Sequence, residues 1–209
     1  MMKAWVLHEV GDIRFCDVKI PALKDDEVLI RVMACGICGS DIPRIYETGA
    51  HKMPLICGHE FAGIVDDIGG GVSSSWLGKR VAVCPKIPCG RCKNCLNDNP
   101  DGCTNYDYSG SRRDGAFASF VSVPASRLIE LPDNVSFEAG AMIEPLAVAA
   151  NAVRTGCQSA VQMVPKDADI AVCGMGTIGL MCVMLLKGMG YHNISVIGNK
   201  DHQKDRSEE

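Results

Sequence analysis

A β-rich domain followed by the opening βαβ unit of an α/β fold is the architecture that this 209-residue sequence predicts. Three observations predict it. Residues 1–135 carry short apolar runs bounded by Gly and Pro, the punctuation of antiparallel strands. Residues 136–157 switch to a helical pattern. Beyond them, "ADIAVCGMGTIGLMCVMLLKGMGYHNISVIG" reads as strand, glycine turn, helix and strand.

Each element has its own signal. "DEVLIRVMACG" places Val28, Ile30 and Val32 on one face of a strand, and "FAGIVDDIG", "KRVAVCP" and "FASFVSVP" are similar short runs. Between the last two lies a long polar loop, residues 86–114. A loop of that length in a small domain is functional or is held by something. From Ser136, "SFEAGAMIEPLAVAANAVRTG" is helical, but Pro145 cannot sit inside a continuous helix. Two helices are therefore expected, with Pro145 near the start of the second.

Composition excludes several function classes. Lys and Arg number 21 against 25 Asp and Glu, a net charge of −4, which argues against a nucleic-acid partner. "MMKAWVLHEVGD" lacks the regions of a secretory signal. "IGLMCVMLLKGMG" is too short and too glycine-broken to span a bilayer core of about 30 Å. A cytoplasmic location without a membrane partner is expected. In that reducing setting the clusters among the 12 cysteines are read first as metal ligands. Cys16, Cys35, Cys57, Cys84, Cys157, Cys173 and Cys182 are scattered and are expected to be plain buried thiols.

"CGRCKNCLNDNPDGC" sets Cys89, Cys92, Cys95 and Cys103 at C-x2-C-x2-C-x7-C. Four thiolates so spaced can close a tetrahedral shell around Zn²⁺, the mark of a structural site. An iron–sulfur cluster is the competitor, but the ferredoxin run continues with x3-C-P, and this one does not. "ACGICGSD" and "ICGHEFAG" add Cys38, Ser40, Asp41, His59 and Glu60, and "MIEPL" adds Glu144. Thiolate, imidazole and carboxylate together suit zinc, and three protein ligands with one open position make a catalytic arrangement.

"CGICGSD", "GHEFAG", the four-cysteine loop, "IEPLAVA" and "GMGTIG" occur in an order that resembles the zinc-dependent medium-chain dehydrogenases of the alcohol dehydrogenase superfamily. Within them the polyol branch is the most similar. "CGSDIPRIYETGAH" and "YSGSRRDGAFASFV" resemble its members that act on galactitol 1-phosphate. The resemblance implies a GroES-like catalytic domain over residues 1–135, connecting helices over 136–166 and an incomplete Rossmann coenzyme-binding domain over 167–209. It implies two zinc ions per chain, one structural and one catalytic. The catalytic ion would rest on Cys38, His59 and Glu144, with Glu60 as a further carboxylate that ligates or exchanges with water. Ser40, His59 and Glu60 are the implied catalytic residues, Ser40 relaying a proton unless it serves only as a helix cap. The implied reaction oxidises a secondary hydroxyl of a polyol or polyol phosphate, such as sorbitol or galactitol 1-phosphate, to a ketone. Zinc acts as Lewis acid and NAD or NADP takes the hydride. Arg112 and Arg113 in "GSRRDG" are the expected phosphate-binding pair. Full-length relatives are expected to be homo-oligomers.

Gly174, Gly176 and Gly179, with Thr177 and Ile178 between them, form G-x-G-x-x-G in the strand–helix context that binds a dinucleotide pyrophosphate. The acidic residue that would grip the ribose is replaced by Gly198, followed by Asn199, Lys200 and Asp201. Coenzyme preference is thereby left open between NAD and NADP. Only two of the six strands of a complete dinucleotide fold are supplied, so the sequence reads as the front part of such an enzyme. The alternative is a zinc-binding fragment without turnover.

Overall fold

The chain begins with an antiparallel pair, β1 (Met2–Glu9) and β2 (Asp12–Val18), turning at Gly11 with φ +80°. Next come β3 (Glu27–Gly36), α1 (Asp41–Tyr46), β4 (Leu55–Ile56), β5 (Glu60–Ile68), β6 (Arg80–Val83) and β7 (Lys86–Ile87). A short α2 (Lys93–Leu96) precedes β8 (Asp107–Tyr108), β9 (Phe120–Pro124) and β10 (Leu128–Glu130). The helices α3 (Phe137–Ala141) and α4 (Ile143–Cys157) follow, then β11 (Ile170–Cys173), α5 (Thr177–Gly188) and β12 (Ile194–Ile197). This computed structural model describes residues 1–157 and 164–199. The chain divides into two units between Glu144 and Pro145.

In the first unit, β3 lies inside an antiparallel five-stranded sheet of order β10-β6-β5-β3-β9, and β1 is the middle of a second sheet, β2-β1-β4. Val28 and Ile30 share a buried face of β3 as its sequence suggests, but Glu27 and Leu29 on the other face are buried as well. Val28 and Ile30 are fully buried against Phe61, Val65, Val81 and Val123, and Val32 packs at the edge of the same cluster. The register matters for function. Gly36, the last residue of β3, lies opposite Glu60, the first of β5. Cys38 leaves the sheet where His59 and Glu60 enter it, so one end of this strand pair gathers donors from two distant motifs.

The loop over residues 86–114 is less free than its polarity suggests. β7 and β8 pair at its base, with Lys86 opposite Tyr108 and Ile87 opposite Asp107. The ladder supplies backbone partners that a polar loop cannot find in a core. Ser136 caps α3, its hydroxyl accepting the Ala139 N–H at 3.2 Å. Pro145 is the third residue of α4, where its missing N–H has no intrahelical partner to lose.

In the second unit β11 and β12 run parallel, Ile170 opposite Ile194, with α5 as the crossover between them. Ala149, Val153, Cys182, Leu186 and Tyr191 form its core. Among the scattered cysteines only Cys57, Cys157 and Cys182 are buried. Cys16, Cys35 and Cys84 are half-buried, and Cys173 is exposed, because alternate residues of β11 face opposite sides of a two-stranded sheet. Among the described residues no helix is long and apolar enough to cross a membrane.

Gly58, just before His59, has φ +92°, and a Cβ there would stand 2.6 Å from Phe117 Cδ1 and 2.9 Å from Phe117 N. Both strain and collision oppose any side chain. Gly58→Ala is expected to destabilise the first unit by about 1–3 kcal/mol. The urea midpoint measures this, and an unchanged midpoint would contradict it.

Candidate metal centres and substrate cleft

The four loop cysteines converge. Their Sγ atoms all lie within 4.8 Å of one another, with Cys92 at 3.5 Å from Cys95 and 3.8 Å from Cys103. Zn–S bonds of about 2.3 Å in a tetrahedron set sulfurs roughly 3.8 Å apart, so the spacing fits zinc. Backbone N–H groups of Cys95 and Thr104 pull the Cys92 thiol down to about 5, and the Cys89 N–H donates to Cys103 Sγ at 3.3 Å. Cys95 is pushed up to about 12, first by burial and then by Cys92 and Cys103 beside it. The loop's amides stabilise some of the thiolates, and a central cation would stabilise all four.

A second cluster forms at the end of the β3–β5 pair. Donor atoms of Cys38, His59 and Glu60 lie within 4.8 Å of one another, and His59 and Glu60 are buried. Gly36 makes room for this group, since a Cβ there would run into the Glu60 carboxylate. Ser40 donates to Cys38 Sγ twice, from its N–H at 3.5 Å and its hydroxyl at 3.3 Å. That hydroxyl makes no capping bond to α1, so it serves the sulfur rather than the helix.

Asp41 is fully buried, accepting the Cys38 N–H at 3.0 Å and the Arg44 guanidinium at 2.5 Å. Its Oδ1 lies 3.7 Å from His59 Nδ1, a buried nitrogen with no hydrogen-bond partner among the described residues. Burial pushes His59 below its ordinary value, although Asp41 and Glu144 oppose the shift, and so favours the neutral, ligating imidazole. Burial pushes Glu60 up, against the hydrogen bond with Cys38. A thiol, a neutral imidazole with an unmet ring nitrogen and a desolvated carboxylate are a donor set that fits zinc.

Glu144 does not join this three-donor group. Its Oε1 accepts the Tyr108 hydroxyl at 3.1 Å, and burial raises its carboxyl. The Tyr108 ring meets His59 edge-on, with centroids 5.7 Å apart. Above them opens a cavity of about 580 Å³ whose lining includes Ser40, His51, His59, Tyr106, Tyr108 and Arg112. The Arg112 guanidinium lies over the Tyr106 ring at 4.6 Å. Its neighbour is employed elsewhere. Arg113 donates to Glu27 Oε1 at 2.8 Å and to Ser122 O and Oγ at 3.2 and 3.3 Å, and it does not line this cleft. The expected arginine pair therefore divides into one cleft residue and one structural residue.

In the second unit Gly174 has φ +103°, and a Cβ on Gly179 would collide with the Gly174 carbonyl. Gly176 caps α5 and has nothing within 4 Å of an added Cβ, so Thr177 and Ile178 begin the helix behind an open turn. Gly198 and Asn199 follow β12, while Lys200 and Asp201 lie outside the described residues.

Residues 24–133 match the alcohol dehydrogenase GroES-like domain. The chain belongs to the alcohol dehydrogenase family. Its β-rich unit is the GroES-like domain of that family, and the βαβ unit is the start of a Rossmann domain. Galactitol 1-phosphate 5-dehydrogenase of Escherichia coli (strain K12) is 37% identical over 199 residues, covering 94% of this chain and 55% of its own length. Sorbitol dehydrogenase of Bacillus subtilis (strain 168) is 37% identical over 202 residues, covering 93% and 55%. Among solved structures, a Sinorhizobium meliloti 1021 protein described as a zinc-binding dehydrogenase, bound to NADP, superposes with TM-score 0.90 at 34% identity, covering 100% of this chain and 59% of its own. Galactitol-1-phosphate dehydrogenase from Escherichia coli gives 0.88 at 35% identity, covering 99% and 58%. The chain thus spans a little over half the length of these relatives.

Sequence reasoning did not assign roles to Tyr108, Tyr106, Arg44 or His51. Tyr108 meets His59 and Glu144 far along the chain, where no spacing rule connects them, whereas Arg44 pairs with Asp41 at i,i+3, a spacing that the sequence does carry. Arg113 yields a test. Glu27 is 2% exposed, and although burial raises its carboxyl, Arg113 and Lys24 outweigh this and hold it below the ordinary 4.5. A depressed folded pKa contributes stability that is complete above the unfolded value and is lost as pH falls through the folded one. Arg113→Ala should cost about 3–5 kcal/mol at neutral pH, with the gap to wild type narrowing in acid. Urea unfolding across pH measures both, and unchanged stability would contradict this assignment.

Proposed function

We propose that this chain carries the zinc centres, substrate cleft and pyrophosphate turn of a dehydrogenase that oxidises a secondary hydroxyl of a polyol or polyol phosphate to a ketone with NAD(P)⁺. The observation that carries the reading is the Cys38–His59–Glu60 cluster beside a cleft lined by Ser40, His59 and Arg112. Cys38, His59 and a carboxylate would hold zinc, which when bound would supply Lewis acidity toward a substrate hydroxyl, while a nicotinamide coenzyme would supply the hydride acceptor. The closed four-cysteine site ties down its loop.

The chain's own groups do the remainder. Ser40 is exposed in the cleft and can pass the departing proton towards solvent. Arg112, stacked on Tyr106, presents a fixed cationic fork to a phosphate. The N-terminus of α5 behind Gly174, Gly176 and Gly179 would hold a coenzyme pyrophosphate through its free N–H groups. Gly198 puts no carboxylate at the first position after β12, which would leave room for the 2′-phosphate of NADP as well as for NAD.

Steady-state kinetics with galactitol 1-phosphate and galactitol test the reading. Arg112→Ala should raise KM for the phosphorylated polyol roughly 10-fold or more, as befits one lost charge-assisted contact, and leave the free polyol nearly unchanged. Equal effects on both would contradict the phosphate role. Zinc binding without turnover of either would instead support a metal-binding chain that lacks catalysis.

A further inference from the structure

A second cavity of the first unit, about 500 Å³, lies behind the cleft and takes no part in the proposed reaction. It opens between the β2-β1-β4 sheet and β9. The two cavities share three stretches of chain. His51, Tyr108 and Arg112 line the cleft, while their neighbours Lys52, Asp107 and Arg113 line the cavity behind it. The volume is that of an ordinary small-molecule site.

The lining divides by chemistry. Val18, Pro21, Pro54, Ile56 and Phe120 supply apolar surface. Lys19, Lys24, Lys52 and Arg113 supply positive charge, in a chain whose net charge is −4. The carboxylates nearby have other partners. Arg113 is paired with Glu27 at 2.8 Å, and Lys24 Nζ lies 3.7 Å from the same carboxylate. Asp114 accepts the Ile56 N–H at 3.0 Å and Asp107 the Tyr108 N–H at 2.9 Å, so each spends an oxygen on the backbone rather than on a lysine. Lys19 and Lys52 have no ion-pair partner among the described residues. They come from separate segments, one just after β2 and one shortly before β4, and meet at one apolar floor. Lysine on a convex surface is satisfied by water, but a concave apolar floor beside two ammonium groups suits a ligand with both characters.

We propose that this cavity binds a small organic anion with an apolar body, its carboxylate or phosphate head held by Lys19 and Lys52 and its body lying on Val18, Pro21, Pro54 and Phe120. Such a ligand touches the segments that carry His51, Tyr108 and Arg112 without occupying the cleft. The site depends on neither metal centre and on no step of the proposed reaction.

An amide-resolved NMR titration of the full chain tests this, with hexanoate and hexyl phosphate as amphipathic probes and hexanol and acetate as their separate halves. At least one amphipathic anion should saturate with shifts centred on Val18, Lys19 and Phe120, and the tighter of the two identifies the head group. Hexanol and acetate should each bind more weakly than that anion. Lys19→Gln combined with Lys52→Gln should weaken the anion about 5-fold or more, as befits two exposed charge contacts, and leave hexanol unchanged. Both lysines are exposed, and the spectrum of the double variant reports its own fold. Arg112→Ala, on the cleft side of the shared wall, should leave anion affinity unchanged. Shifts confined to Ser40, Thr48 and Arg112 would overturn the proposal by placing the anion in the cleft. An affinity indifferent to the two lysines, or hexanol binding as tightly as the anions, would overturn it as well.

Discussion

Asp41, His59 and Glu60 are withdrawn from water at the end of one strand pair, and ionised groups there are costly unless something pairs them. Arg44 pairs Asp41, but among the described residues no cationic side chain pairs Glu60, and His59 keeps a ring nitrogen without a partner. Burial alone would drive Glu60 towards its protonated form and His59 towards its neutral one. A divalent cation among Cys38, His59 and Glu60 would resolve the conflict for the carboxylate and the thiol, and it would need the imidazole neutral in any case. The surrounding structure follows from that demand. Gly36 clears space, Gly58 makes the bend before His59, and Ser40 turns its hydroxyl to the sulfur.

The four-cysteine loop and the cleft are parts of one device. β7 leads into the loop and β8 leads out of it, and their pairing puts Lys86 beside Tyr108. Lys86 Nζ also lies over the Tyr106 ring at 4.9 Å, on which Arg112 stacks. A loop with little apolar content cannot hold aromatic residues at a cleft wall through burial, and a closed metal shell on its four cysteines would replace the core it lacks. The four-cysteine cluster and its hairpin thereby support the residues that line the cleft.

What the sequence made legible were features with local periodicity or short-range spacing. The alternation of Val28 and Ile30, the break at Pro145, the four-cysteine spacing and the glycine turn before α5 each carry their geometry in a few neighbouring residues. Long-range side-chain pairs do not. Tyr108 and Glu144 are 36 residues apart, and Arg113 and Glu27 are 86 apart. Adjacent Arg112 and Arg113 look alike in sequence, yet the Arg113–Ser109 bridge and the β-strands near Ser122 take one into the fold and leave the other in the cleft.

The central claim is that two separate donor clusters each hold a metal ion, and native mass spectrometry of the intact chain tests it most directly. The account predicts two zinc ions per chain, one lost in Cys103→Ser and the other lost in His59→Ala, each variant retaining the remaining ion. A single ion in the wild type, or one that survives Cys103→Ser and His59→Ala alike, would contradict it.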